Sequence, residues 1–425
     1  MRLSYVLLAL LPALSAAGAQ TGVQDLTVDA AVRIALDNNL SLQRDALALE
    51  GKKRTADRSW NSLIPGVSAG ASVNHPTSLT GSIPAEQNVW TPGLSVSASL
   101  SLSLSTADTI KKTRIDYEAG LLTYAQARQE LEWQVRKLFY QILLLEANTE
   151  LAVQGLSSAQ ARYEQSAAFA RTGQASHLEA MTARVDLENR RPTVRNAETL
   201  YENALDSFKT LLGIPREQEV ALQGTIQYAG SGVQNEETRT ESLPVAVLQK
   251  SIASLEAQRK AARNSAYIPS LRFSWNTTPL YAIDRSQWND NGSFSVGLSL
   301  NLDNLFPGSM ARTQIDSLND SIRSAEIELR ETIRNRESRI MQYRRTMEQT
   351  KETIAALTLN VELAQTAYAL YEEAYRNGAA DYQQLREAGD SLLQAQNRVL
   401  QEQYNLRAAL LDLEKELHVP FGTIH

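Results

Sequence analysis

Residues 94–105 read LSVSASLSLSLS, with aliphatic side chains or alanine at the even positions and serine at the odd ones. A period of two sorts these side chains onto opposite faces of an extended strand. Three further segments alternate in the same way. Val67, Ala69, Ala71 and Val73 oppose Ser68, Gly70, Ser72 and Asn74. Leu271, Phe273 and Trp275 oppose Arg272, Ser274 and Asn276. Phe294, Val296, Leu298, Leu300 and Leu302 oppose Ser295, Gly297, Ser299 and Asn301. The lengths suit tilted membrane strands of about 9–11 residues, apolar on one face and small and polar on the other. Trp60, Trp90, Trp275, Tyr281, Trp288 and Phe306 gather near the strand ends and loops, where an interfacial girdle would sit.

The rest of the chain carries a helical pattern. Between Gly308 and Gly378 there is neither glycine nor proline, and Glu, Arg, Gln, Ala and Leu predominate. This predicts a helix about 100 Å long at roughly 1.5 Å per residue. Residues 108–172, with no proline, predict a second of similar length. Helices of that length need coiled-coil or side-by-side partners. Shorter helices are expected over 27–63 and 176–212.

An internal repeat organises these elements. YEQSAAFARTGQASHLEA (163–180) lies over YALYEEAYRNGAADYQQL (368–385), setting Arg171 on Arg376 and Gly173 on Gly378. LLGIP (211–215) lies over ELHVP (416–420), and SLIPGVSAGASV (62–73) over AYIPSLRFSWNT (266–277), pairing Pro65 with Pro269. The expected order is an export signal (1–19), a first repeat (20–215), a linker (216–241), a second repeat (242–420) and a tail (421–425). Each repeat follows one plan: helix, strand, loop, strand, very long helix, turn, helix. At the turns, Ser176 with Glu179 and Asp381 with Gln384 have capping-box spacing, and Gly173 and Gly378 precede them as helix-ending residues.

Chemistry narrows the reading further. The chain has no cysteine, which excludes disulfides and thiolate sites, and its net charge of −6 leaves no basic footprint for nucleic acid. GVSAG (66–70) has the spacing of a hydrolase elbow, but it sits inside an alternating strand rather than between strand and helix. His75, His177, His418 and His425 have no metal-ligand spacing. No enzyme, cofactor or metal is expected. Sheet edges cannot face hydrocarbon unpaired, and barrels begin at about eight strands, so several copies of this chain must share one wall.

The order, duplication and spacing of these motifs resemble the TolC-like outer-membrane efflux proteins. The likeness runs from LTVDAAVRIALDNN through the IP junctions at Pro65 and Pro269, the LSLNL strand, RTGQASHLEAMTAR and AYRNGAADYQQLREA to the LLGIP element. It implies a mainly α chain with a small β part: long hairpins in an α-helical barrel, and four strands per chain in a shared trimeric β-barrel. It also implies an outer-membrane location reaching into the periplasm. The implied role is a passive exit duct for small molecules or proteins, partnered by a periplasmic adaptor and an inner-membrane pump. By position, Glu179 and Tyr375 match an acid and a tyrosine that hold the periplasmic mouth shut. Ala380 stands where that latch has an arginine, and Gln384 and Glu387 stand where paired aspartates narrow the mouth. Arg171, Gly173, Ser176, Arg184, Arg376, Gly378 and Asp381 fall at the tips that would meet the adaptor. The competing readings are a periplasmic adaptor and a secreted coiled-coil scaffold or adhesin.

Overall fold

The computed structural model describes residues 24–84, 89–227, 242–282, 287–289 and 292–424. The expected export signal and residues 228–241 of the expected linker lie outside them. Compactness separates two units, and each draws on both repeats: residues 24–38, 135–227 and 361–404 form one, while 39–134, 242–360 and 405–424 form the other.

The first unit holds a short parallel pair, β1 (Gln24–Leu26) beside β4 (Val220–Leu222). The segment expected to be a linker therefore carries a strand. Helix α1 (Val28–Asn38) packs on α4 (His177–Leu212), burying Ala31 and Ala35 on one side and Phe208 and Leu212 on the other. The single helix expected over 27–63 is broken. Asn39 leaves helical geometry, and its side chain accepts from the Leu42 amide at 3.0 Å, starting α2 (Leu40–Asp57) afresh.

The second unit contains a six-stranded antiparallel sheet: β2 (Gly66–Asn74), β3 (Thr91–Leu102), β5 (Ser270–Thr277), β6 (Leu280–Ala282), β7 (Gln287–Asn289) and β8 (Gly292–Ser299). Strand β3 pairs with both β2 and β5, and β5 with β8. Strands β6 and β7 extend the β5–β8 hairpin in unchanged register, bridged by the Leu94 amide donating to the Pro279 carbonyl at 3.1 Å. The two strand entries share one cause. Pro65 and Pro269 disfavour helical geometry in the residue before them, and Ile64 and Ile268 are both extended, with ψ of 136° and 129°.

Register sorts the sheet into two unlike faces. Val67 opposes Ala98, Leu100 opposes Phe273, and Phe273 in turn opposes Val296, so aliphatic and aromatic side chains run across all four main strands. On the reverse face serine meets serine, with hydroxyl contacts of 2.8 Å for Ser68–Ser97, 2.7 Å for Ser274–Ser295 and 3.0 Å for Ser270–Ser299. Among the described residues nothing covers the apolar face on the outer strands: Val67 is 72%, Phe294 67% and Leu298 73% exposed. A contiguous apolar surface of this kind marks contact with lipid or protein.

Two strands end earlier than their alternation. Serine and leucine alternate to Ser105, yet β3 stops at Leu102 because the Ser103 hydroxyl accepts from the Thr106 amide at 3.3 Å and caps α3 (Leu104–Thr172). Likewise β8 stops at Ser299, and Leu302–Leu305 form a 3-10 turn before α6 (Met310–Arg376). Helices α3 and α6 contain 69 and 67 residues, each unbroken. Helix α5 (Leu243–Tyr267) leads into β5, and α7 (Tyr382–Leu417) closes the second repeat.

Candidate functional site at the hairpin turns

Both long helices end on a left-handed glycine, Gly173 with φ 77° and Gly378 with φ 71°. After Gly173, the Ser176 hydroxyl accepts from the Glu179 amide at 3.1 Å and starts α4. After Gly378 the box closes in both directions. Asp381 Oδ1 accepts from the Gln384 amide at 2.8 Å, while Gln384 Oε1 accepts from the Asp381 amide at 3.1 Å.

Glu179 directs its carboxylate elsewhere, toward the second hairpin. The Tyr375 hydroxyl, from the end of α6, donates to Glu179 Oε1 at 2.8 Å and lies 2.8 Å from the Ser166 hydroxyl of α3. Tyr375 and Ser166 are buried, and Phe169, Tyr382, Leu385 and Ala183 complete an apolar cluster around them. Burial, reinforced by the neighbouring Glu179 carboxylate, pushes the Tyr375 hydroxyl up to about 12, so it remains a donor at any ordinary pH.

Further along the same helices lies a buried ionic group. Asp186 receives Arg162 Nη2 at 3.6 Å, Arg190 Nε at 3.5 Å and the Tyr382 hydroxyl at 3.4 Å. Arg190 also pairs with Asp390 of α7. The Arg162 and Asp186 side chains are only 7% and 10% exposed. Burial and the Asp186 charge raise the Tyr382 hydroxyl to about 12 as well. Gly389 makes room for this group, since a Cβ there would lie 3.1 Å from the Arg162 guanidinium and 3.3 Å from the Tyr368 ring. Together the two networks tie α3, α4, α6 and α7 within one chain.

Of the residues singled out from the sequence, only Glu179 and Tyr375 are brought into direct contact across the hairpins. Gln384 is engaged in its cap, and Glu387 accepts from Gln383 on the exposed face of α7. Arg171, Arg184 and Arg376 are exposed; Arg171 donates to the Ala167 carbonyl, and Arg376 pairs with Glu372 at 3.6 Å. Pro65 and Pro269 stand at the strand entries, in the other unit. Sequence reasoning missed Arg162, Ser166, Asp186, Arg190, Tyr382 and Asp390. The repeat alignment carried one usable signal: it sets Tyr375 on Ala170 and Tyr382 on His177, so the second copy places large phenols where the first has none.

A sheet with one bare apolar face and one hydroxyl face, joined to helices of this length, has the pattern of a membrane-spanning β-structure and marks the class as a membrane protein. The chain belongs to the outer membrane efflux protein family, whose model matches residues 31–214 and 236–417. It is therefore an outer-membrane efflux channel that extends into the periplasm, from a family of channels rather than enzymes. No curated protein matches the chain by sequence. Among solved structures, the fold is similar to the outer membrane protein VceC of Vibrio cholerae, with 16% identity and TM-score 0.77 over 93% of this chain and 96% of that one. It is also similar to the CmeC outer membrane channel of Campylobacter jejuni, with 16% identity and TM-score 0.80 over 92% and 85% of the two chains. For the open state of the Neisseria gonorrhoeae MtrE outer membrane channel, identity is 18% and TM-score 0.72, over 92% and 89%.

Proposed function

We propose that three copies of this chain close a common barrel and act as a passive exit duct for small molecules or proteins, without catalysis of their own. The observation that carries this reading is the sheet. Among the described residues the outer edges of β2 and β8 have no strand partner, while the apolar face between them is bare. Hydrocarbon tolerates neither edge, and joining β8 of one copy to β2 of the next satisfies both. A periplasmic adaptor and an inner-membrane pump complete the pathway, the adaptor meeting the turns near Arg171, Ser176, Arg184, Arg376 and Asp381. Opening loosens the mouth at those turns, and the adaptor favours the open state only by binding it more tightly. Glu179 and Tyr375 form a latch inside one chain, with Ala380 contributing no cation, and Glu387 lends the mouth its negative charge.

The chain has no cysteine of its own, so single cysteines introduced along β2 and β8 provide a clean test. Outer-membrane fractions are expected to yield heat-modifiable oligomers, crosslinked from β2 to β8 up to a trimer and no further. A water-soluble monomer that never crosslinks across those edges would overturn the reading.

A further inference from the structure

Among the described residues of the six-stranded sheet, Arg272 is the only charged side chain. It lies on the hydroxyl face, opposite Ser101 of β3 and Gly297 of β8, with Ser270 and Ser274 beside it on β5. Arg272 is exposed and has no hydrogen-bond or ion-pair partner among the described residues. Its neighbours leave it space: a Cβ added to Gly297 would meet nothing within 4 Å. A structural arginine in a sheet would ordinarily be paired with a carboxylate or packed along an aromatic face. This one is surrounded by small neutral groups that neither neutralise it nor hold it.

We propose that Arg272 determines charge selectivity in the membrane-spanning part of the duct, favouring anions over cations. The inference rests on the reading above, in which the hydroxyl face lines the lumen. Arg272 lies three residues past the Pro269 junction, at the start of β5, and a guanidinium there is disfavoured against lipid but not against water. In a trimer three guanidinium groups share one low-dielectric wall. At 0.1 M salt their field reaches about 10 Å, which is enough to raise the anion concentration across a narrow passage. The cargo this favours is small or flexible molecules bearing carboxylate, phosphate or sulfonate groups.

Reversal potentials of single channels in a potassium chloride gradient test the inference. The chloride-to-potassium permeability ratio is expected to fall about twofold or more in Arg272→Gln and further in Arg272→Glu, and to change little near 1 M salt, where screening shortens to about 3 Å. Arg272→Cys gives the same answer inside an assembled channel: a cationic methanethiosulfonate should restore the ratio and an anionic one should lower it. Open channels of normal conductance whose ratio ignores both substitution and labelling would overturn the role of Arg272. Failure of the unmodified chain to form any channel would instead overturn the duct itself.

Discussion

The two repeats use one backbone twice and two different sets of side chains. Each long helix stops on a left-handed glycine, and each returning helix stops on a left-handed residue. For α4 that residue is Gly213, with φ 71°, and the Ile214 amide donates to the Lys209 carbonyl at 3.1 Å. For α7 it is His418, with φ 57°, and the Val419 amide donates to the Glu414 carbonyl at 3.2 Å. Both are Schellman-type endings. What separates them is crowding. A Cβ on Gly213 would lie 2.5 Å from the Asn38 carbonyl oxygen, whereas His418 has room for its ring and places Nδ1 3.2 Å from Gln129 Oε1. At the turns the divergence has a use. Tyr375 and Tyr382 of the second copy reach Glu179 and Asp186 of the first, and the positions aligned with those phenols in the first copy, Ala170 and His177, leave space or differ in chemistry. A duplicated fold can bind its two halves together through unlike side chains only where the duplication has been broken.

The sharpest way to break that comparison is Asp186→Ala. It leaves Arg162 buried without its carboxylate, and it should cost about 3–5 kcal/mol in denaturant unfolding, with hydrogen exchange rising first along α3 and α4. Next come the two helix endings. Gly213→Ala combines a backbone clash with an unfavourable φ and should cost roughly 2–3 kcal/mol, while His418→Gly should gain up to about 1 kcal/mol from relief of its φ. Burial, followed by the nearby Arg336 charge, holds the His418 imidazole below its ordinary value. Its contribution to stability is thus present above about pH 6.5 and is lost as pH falls through the folded value, and His418→Gly should abolish that slope in thermal melts. Equal effects of glycine and alanine at both endings would refute the crowding argument. The smaller loss belongs to Tyr375→Phe, about 1–3 kcal/mol, because Ser166 and Glu179 both lose a partner. With the hydroxyl raised to about 12, the stabilisation by Tyr375 is intact below about pH 10 and is lost as pH rises from there to about 12. In an alkaline absorbance titration, Tyr375→Phe should remove one of the last phenols to ionise.

The fold was legible because its signals are local. Alternation revealed β2, β3, β5 and β8, the absence of proline revealed α3, the absence of both glycine and proline revealed α6, and Pro65 and Pro269 marked the strand entries. Errors arose where one side chain overruled a period: Asn39 restarted a helix, and Ser103 ended a strand whose alternation continued. The site was only half legible. Glu179 and Tyr375 could be picked out by position, but which carboxylate meets which arginine depends on packing between segments some two hundred residues apart, as with Arg190 and Asp390. No periodicity encodes that choice. The charges at Arg162 and Asp186 read as ordinary polar positions on long helices until the second hairpin covers them.

The bare rims of β2 and β8 also constrain biogenesis. Among the described residues a lone copy carries two ribbons of unpaired strand-edge amides and carbonyls, each group costing several kcal/mol in hydrocarbon. On the proposed reading of a shared barrel, such a chain has no stable resting place in the bilayer while alone, so recruitment of siblings precedes or accompanies insertion. Until then the same ribbons are open to any stray strand.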